Sequence, residues 1–219
     1  MREIAGVDGV PGGWVVARVR GSAVRWDVVA TPAEVLTLTA GCTAVGVDIP
    51  LAVPVSGGRS CDALCAARLG RARSSVFPAP PRAVLECASH ASAVELSRSL
   101  TGRGISIQAW NIRRQILSWL DVSVPAHVVE VHPELAFRGL APAVAFEGKK
   151  TARGAGQRIA ALSSWVPPTA LADLPRGARL DDCLDALAAT WSAARFASGT
   201  AEILGGELGD DDRIMRVAI

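Results

Sequence analysis

The segment that decides the fold covers residues 4–29 and reads IAGVDGVPGGWVVARVRGSAVRWDVV. Three apolar runs, at 4–8, 14–19 and 24–29, are separated by short stretches rich in glycine, proline and serine. Apolar runs of this length bounded by turn residues predict strands, and their short connections predict an antiparallel meander. The first run ends at Asp8, so we expect this carboxylate where a buried strand opens into a loop.

Helices and further strands follow the meander. Thr31 and Glu34 have the spacing of a capping box, which predicts a helix start. The run 44–48 is a fourth apolar strand that ends in an aspartate, and a fifth strand is predicted over 127–132, where Pro133 stops it. We therefore predict an α/β fold with a mixed sheet, in which parallel strands extend the three-strand antiparallel meander and helices cover both faces.

The region of about 51–125 differs from its flanks, because prolines and glycines interrupt its helical segments. Within it, helices are predicted at about 83–100 and 106–119. No internal repeat and no low-complexity linker divides the chain. We interpret residues 1–219 as a single domain that carries a helical and proline-rich insertion.

Composition limits the cellular context. Half of the residues are apolar, 20% are charged, and the net charge is +2. No apolar run reaches the ~18 residues of a membrane-spanning helix, and the N-terminus lacks the apolar core of a signal peptide. Five scattered cysteines have no disulfide-framework spacing. We expect a cytoplasmic protein that does not interact with membranes.

Four aspartates are the main candidates for chemistry. Asp182 and Asp185 lie three apart on a helix predicted over about 181–198, and are therefore neighbours on one side of it. An acidic residue near the start of a helix interacts favourably with the positive helix N-terminus. This explains the presence of Asp182 better than that of Asp185, which lies a turn further along the helix. Asp8 and Asp48 each close an apolar strand, and sites in α/β sheets lie beyond strand ends. Converging carboxylates repel each other unless a cation neutralises them, and oxygen ligands favour Mg²⁺ or Mn²⁺.

Candidate substrate contacts are spread along the chain. His132 and Glu134, in the segment EVHPE, are placed either to contact a substrate or to satisfy backbone groups around a proline turn. Lys149 and Lys150 lie in a glycine-rich loop that either binds phosphate or is merely flexible. Arg73, in RSSVFPAPPR, suits phosphate contact, whereas the alternative is an ordered loop that covers the sheet.

These residues lie in motifs that resemble known families. The strand order resembles that of the RNase H-like superfamily, and DCLDALA is similar to the last catalytic helix of the RuvC-type Holliday junction resolvases. Nearly the whole chain resembles the domain-of-unknown-function family 429, whose members are predicted RNase H-like nucleases. The matching segments occur in the same order and are GVDGVPGGW, VGVDIP, CDALCAARLGRARSSVFPAPPR, EVHPELAF, GKKTARGAGQR and DDCLDALAA.

The resemblance implies a metal-dependent nuclease or phosphodiesterase. Asp8, Asp48 and Asp182 would be catalytic metal ligands, with Asp185 as a fourth ligand or as a neighbour of the ligands. The cofactor would be Mg²⁺ or Mn²⁺, which activates water for phosphodiester hydrolysis. The expected partner is nucleic acid or a small phosphorylated ligand, and a homodimer is the candidate oligomeric state.

The sequence departs from the RNase H pattern at one position, and two alternatives to the nuclease function stay open. RNase H proteins carry a further glutamate on their first helix, whereas Glu34 is here predicted to belong to the capping box. A catalytically silent domain that binds nucleic acid or a phosphate ligand would also keep these acids, and the low net charge favours it. GVDGVPGG is similar to the phosphate loop of actin-like phosphotransferases, but the chain offers no second loop of that kind.

Overall fold

The structure, a computed structural model, describes residues 3–219. Its central sheet has the strand order β3-β2-β1-β4-β5. The first three strands pair antiparallel, and β4 and β5 continue the sheet parallel to β1. The predicted mixed sheet is thereby confirmed, and it is consistent with an RNase H-like fold. The strands are β1 (Ile4–Val10), β2 (Gly13–Arg20), β3 (Ala23–Val29), β4 (Val45–Val47) and β5 (Val128–Glu130).

The helices and a second small sheet complete the secondary structure. The helices are α1 (Pro32–Leu38), α2 (Ser60–Leu69), α3 (Arg82–Leu85), α4 (His90–Thr101), α5 (Ile107–Asn111), α6 (Arg113–Leu120), α7 (Pro133–Leu140), α8 (Ala152–Leu162) and α9 (Leu180–Ala197). Strands β6 (Ile203–Leu208) and β7 (Ile214–Ala218) form the second sheet. None of the helices in residues 3–219 has the length and apolarity needed to cross a bilayer.

Several local predictions can be compared with these elements. The capping box of α1 is confirmed, because Thr31 accepts a bond from the Glu34 N–H and Glu34 accepts one from the Thr31 N–H. The single helix predicted over 83–100 is wrong. It is divided into α3 and α4, because Ser89 accepts a bond from the Ser92 N–H and so caps a new helix. No apolar pattern predicts β6, because two of its six residues are glycine.

The chain forms two compact units. One contains the five-stranded sheet with α1, α7, α8 and α9, and is built from the chain up to Ile49, residues 125–202 and residues 218–219. The other is built from residues 50–124 and 203–217. The interpretation as a single domain with an insertion at about 51–125 stays a prediction.

Helix α9 lies directly on β1 and β4 because both strands carry glycine at the contact. A Cβ added to Gly46 would lie 2.5 Å from the carbonyl oxygen of Ala189, and one added to Gly6 would also overlap the backbone of α9. Side chains alternate between the faces of a strand, so residues two positions later point to this same face. Those residues are Asp8 on β1 and Asp48 just after β4.

The sequence of α9 explains its position in the core. It is rich in alanine and leucine, both strong helix formers, and every residue from Cys183 to Thr190 is buried. Leu184 and Leu187 pack in one cluster with residues of β1, β2, α7 and α8. The helix ends at Ala197, and Gly199 follows the C-cap with a φ of 71°, a backbone conformation that favours glycine. A helix buried in this way fixes the position of the polar side chains on it.

Candidate functional site

Two aspartates lie side by side where adjacent strands end. The Asp48 N–H donates to the carbonyl oxygen of Val7 at 3.0 Å, which holds Asp48 beside Asp8. Asp8 Oδ1 accepts a hydrogen bond of 2.8 Å from the Gly9 N–H. Both aspartates are partly buried. The parallel pairing of β1 and β4 therefore brings together two carboxylates that are 40 residues apart in sequence.

Helix α9 adds a third carboxylate to this group. Asp185 is buried, with only 3% of its surface exposed. Its Oδ2 accepts a hydrogen bond of 2.5 Å from Lys149 Nζ, and the two groups form an ion pair. Its Oδ1 is buried and has no hydrogen-bond partner among residues 3–219. Buried carboxylate oxygens are normally satisfied, so this atom needs an explanation.

The pKa values show that Asp8, Asp48 and Asp185, here called the acid cluster, interact electrostatically. Burial raises the pKa of Asp8 well above its usual value, and repulsion by Asp48 and Asp185 raises it further. Burial and the charge of Asp185 likewise raise the pKa of Asp48. Burial raises the pKa of Asp185 to about 6, although Lys149 opposes that rise. Such a cluster favours any positive charge that can reach it.

Lys149 is the positive charge in contact with the cluster. Burial lowers the pKa of Lys149, but the attraction of Asp185, Asp8 and Asp48 outweighs this effect, and the pKa is raised overall. The ammonium group is therefore held in its charged form. Its contact with Asp185 joins residues 36 positions apart, and no feature of the sequence indicated it.

Asp182 has a different position from Asp185. Its Oδ2 accepts a hydrogen bond of 3.0 Å from the Arg179 N–H, at the start of α9. Arg179 is the N-cap, and the helix begins at Leu180. The α9 carboxylate that raises the pKa of both Asp8 and Asp48 is Asp185. The assignment of Asp182 as a metal ligand stays a prediction.

Glu134 and Arg158 form a second charged pair near the acid cluster. Arg158 donates to Glu134 Oε1 at 2.6 Å, and the guanidinium is almost fully buried. The charge of Glu134 contributes to the raised pKa values of Asp48 and Asp185. His132 is the N-cap of α7, two residues before Glu134. Of the predicted substrate contacts, the structure therefore places Glu134 near the cluster, while the role of His132 stays a prediction.

The remaining predicted contacts are basic. Lys150 is exposed and lies next to Lys149 on the loop before α8. A cavity of about 380 Å³ opens there, and both lysines line it. Arg73 is exposed on a 3-10 turn over Gly70–Ser75, in the unit that lacks the five-stranded sheet. Its role in substrate binding stays a prediction.

The acid cluster partly fits a divalent cation. Carboxylate oxygens are the ligands that Mg²⁺ and Mn²⁺ prefer. The Oδ1 atom of Asp185 is one such oxygen, and no hydrogen bond within residues 3–219 satisfies it. The side chains are nevertheless arranged around Lys149, and no group of three or more His, Cys, Asp or Glu residues within 3–219 has the arrangement of a metal site. The carboxylate oxygens therefore suit a hard cation, although one of them, Asp185 Oδ2, already accepts a hydrogen bond from the ammonium group of Lys149.

The fold and the acid cluster define the class of protein. It is an α/β protein with a mixed sheet in which β1, β4 and α9 each contribute a partly or fully buried carboxylate at one end of the sheet. The chain belongs to the family of proteins of unknown function DUF429, which it matches over residues 6–208. Neither the curated proteins nor the solved structures include a match to this chain.

Proposed function

We propose that this protein is a divalent-metal-dependent phosphodiesterase of RNase H-like type, a nuclease or an enzyme that acts on a small phosphorylated ligand. Asp8, Asp48 and Asp185 would hold Mg²⁺ or Mn²⁺. The observation that carries the proposal is the convergence of these carboxylates from three elements. Burial raises the pKa of each, and the charge of Asp185 raises the pKa values of Asp8 and Asp48 further. Repulsion among buried carboxylates destabilises the fold, and a bound cation would relieve this repulsion.

The residues around the acid cluster have separate tasks in this proposal. When bound, the metal would supply a Lewis acid and a water that is deprotonated near neutral pH. Lys149 lines the cavity while its ammonium contacts Asp185, so it is placed to hold a phosphate oxygen beside the carboxylates. Arg158 fixes Glu134 and also donates to the carbonyl oxygens of Glu147 and Gly154, which positions the loop that carries Lys149.

The experiment that tests the proposal measures metal affinity before activity. Mn²⁺ binding is titrated calorimetrically for the wild type, Asp185→Asn and Asp182→Asn. We expect at least about a tenfold loss of affinity in Asp185→Asn, and a similar loss in Asp182→Asn would identify Asp182 as a further ligand. Labelled DNA and RNA are then incubated with Mg²⁺ or Mn²⁺, with chelator controls, and cleavage should follow metal affinity across the variants. Unchanged affinity in Asp185→Asn would count against the assigned site.

A second candidate is a catalytically silent domain that binds nucleic acid or a phosphate ligand. The observation that favours it is the ion pair between Lys149 and Asp185, because an internal cation already neutralises part of the cluster. Oligonucleotide binding without metal affinity or cleavage would support this candidate. ATP turnover in the presence of sugars would instead support an actin-like phosphotransferase.

A further inference from the structure

The cavity beside the acid cluster is formed by the starts of two helices. Its volume of about 380 Å³ lies at the lower end of the range typical of small-molecule sites. The loop before α8 contributes one side of the cavity and the start of α9 contributes the other. The polar and charged residues that line it are Lys149, Lys150, Thr151, Arg179 and Asp181.

The cavity is positively charged. Three basic side chains line it, against the single carboxylate of Asp181. Lys150 and Arg179 are exposed, and neither forms an ion pair with a carboxylate in the part of the chain that the structure describes. Thr151 is the N-cap of α8 and Arg179 is the N-cap of α9, so the free N–H groups of both first turns add positive potential. This combination attracts an anion with several acceptor oxygens.

Lys149 connects the cavity to the acid cluster. Its side chain lines the cavity, whereas its Nζ lies 2.5 Å from Asp185 Oδ2. Asp185 is almost fully buried and its Oδ1 has no hydrogen-bond partner among residues 3–219. An anion in the cavity and a ligand of the cluster would therefore be separated by one lysine side chain.

We propose that this cavity is a phosphate subsite, in which Lys150 and Arg179 bind the oxygens of a phosphoryl group. The inference deepens the proposed function and rests on it, since it states where a phosphate of the substrate is held relative to the carboxylates. Arginine binds two phosphate oxygens with its planar guanidinium, and lysine adds a compact charge. Lys149 contacts the phosphoryl group from the side of Asp185.

The test measures binding in EDTA, without any metal or turnover. Two probes are used, a fluorescein-labelled single-stranded 12-mer and AMP. The test variant is Lys150→Ala/Arg179→Ala. The matched control is Arg20→Ala/Arg25→Ala, which removes the same charge from exposed positions on β2 and β3 of the same unit.

We expect the test variant to bind at least one probe about tenfold more weakly, and the control to stay within about twofold of the wild type. For the 12-mer, loss of one neutralised phosphate should also reduce the slope of log affinity against log salt by about 0.7. Loss of affinity for the 12-mer alone identifies nucleic acid as the source of the phosphate. Loss for AMP alone identifies a small ligand, and loss for both identifies the phosphoryl group itself.

Three results would overturn the proposal: equal weakening in the test and control variants, no weakening in the test variant, or no binding of either probe by the wild type. The Asp185→Asn variant separates this proposal from the proposed function. It should lose Mn²⁺ affinity without losing affinity for the probes, because Asp185 does not line the cavity and the substitution leaves Lys150 and Arg179 unchanged. Probe binding by a wild-type protein that shows no Mn²⁺ affinity would refute the metal-dependent function and leave the subsite standing.

Discussion

Replacement of Asp185 by asparagine should make the metal-free protein more stable at neutral and alkaline pH. Asparagine has nearly the same shape and keeps a carbonyl oxygen that can accept from Lys149, but it carries no charge. The wild-type carboxylate is almost fully buried beside two other carboxylates. Its ionisation therefore destabilises the folded state, and the substitution removes this effect.

The structure sets the size and the sign of the effect. The pKa of Asp185 is raised by burial from 3.8 to about 6, a value that already includes the attraction of Lys149. The folded state thus holds the Asp185 proton more tightly than the unfolded state does. The resulting stability is fully present below about pH 4 and is lost as the pH rises through 6. The loss corresponds to about 3 kcal/mol of the free energy of unfolding.

Urea unfolding between pH 4 and pH 8, in EDTA, measures this difference. The wild-type and Asp185→Asn curves should separate by about 3 kcal/mol as the pH rises, with the variant the more stable at pH 8. The Asp173→Asn variant, which removes one negative charge at an exposed position, is the control for the change in net charge. Addition of Mn²⁺ at pH 8 should then stabilise the wild type more than the variant. Parallel wild-type and Asp185→Asn curves over the whole pH range would refute the reasoning.

Three further substitutions test the packing and charge of the site. Gly46→Ala should destabilise the fold by about 1–3 kcal/mol in urea unfolding, because the new Cβ meets the backbone of α9, whereas Gly41→Ala faces open space and serves as its control. Asp48→Asn should lower the pKa of Asp8, measured by NMR titration, and weaken Mn²⁺ binding by at least about tenfold in calorimetry. Arg158→Met should cost about 3–5 kcal/mol in urea unfolding at pH 7, because the charge of Glu134 loses its partner, and a Glu134→Gln change in the same chain should recover part of that loss.

The elements that depend on local pattern could be predicted from the sequence. The strands of the meander follow from apolar runs between tight turns, and the α1 helix start follows from its capping box. The proximity of Asp8 and Asp48 could also be anticipated, because both close apolar runs and adjacent strands end at the same sheet edge. Each of these features is determined by a single helix or strand, or by two neighbouring ones.

The choice between Asp182 and Asp185 could not be predicted, because both lie on the same helix, three residues apart. Which of them approaches the sheet depends on where α9 begins and how it is rotated. The helix begins at Leu180, so the Asp182 carboxylate is within reach of the Arg179 N–H. Asp185, one turn further, is buried beside the ends of β1 and β4.

The loop that carries Lys149 illustrates a second limit. The segment GKKTARGAGQR looked like a glycine-rich loop, but α8 begins at Ala152, because Thr151 accepts a bond from the Gly154 N–H and caps it. Gly154 is buried, and an added Cβ there would meet the carbonyl oxygen of Glu147. Gly154 therefore permits close packing, a role that depends on tertiary contacts and that the sequence alone does not reveal.

The glycines Gly6 and Gly46 make the dimensions of the acid cluster depend on main-chain contact between α9 and two strands, with no layer of side chains between them. Changes of side-chain volume elsewhere in the protein would therefore barely alter how far Asp185 stands from Asp8 and Asp48. Sequences could diverge widely, and an engineer could reshape the surrounding loops, while the spacing of the three carboxylates stays constant.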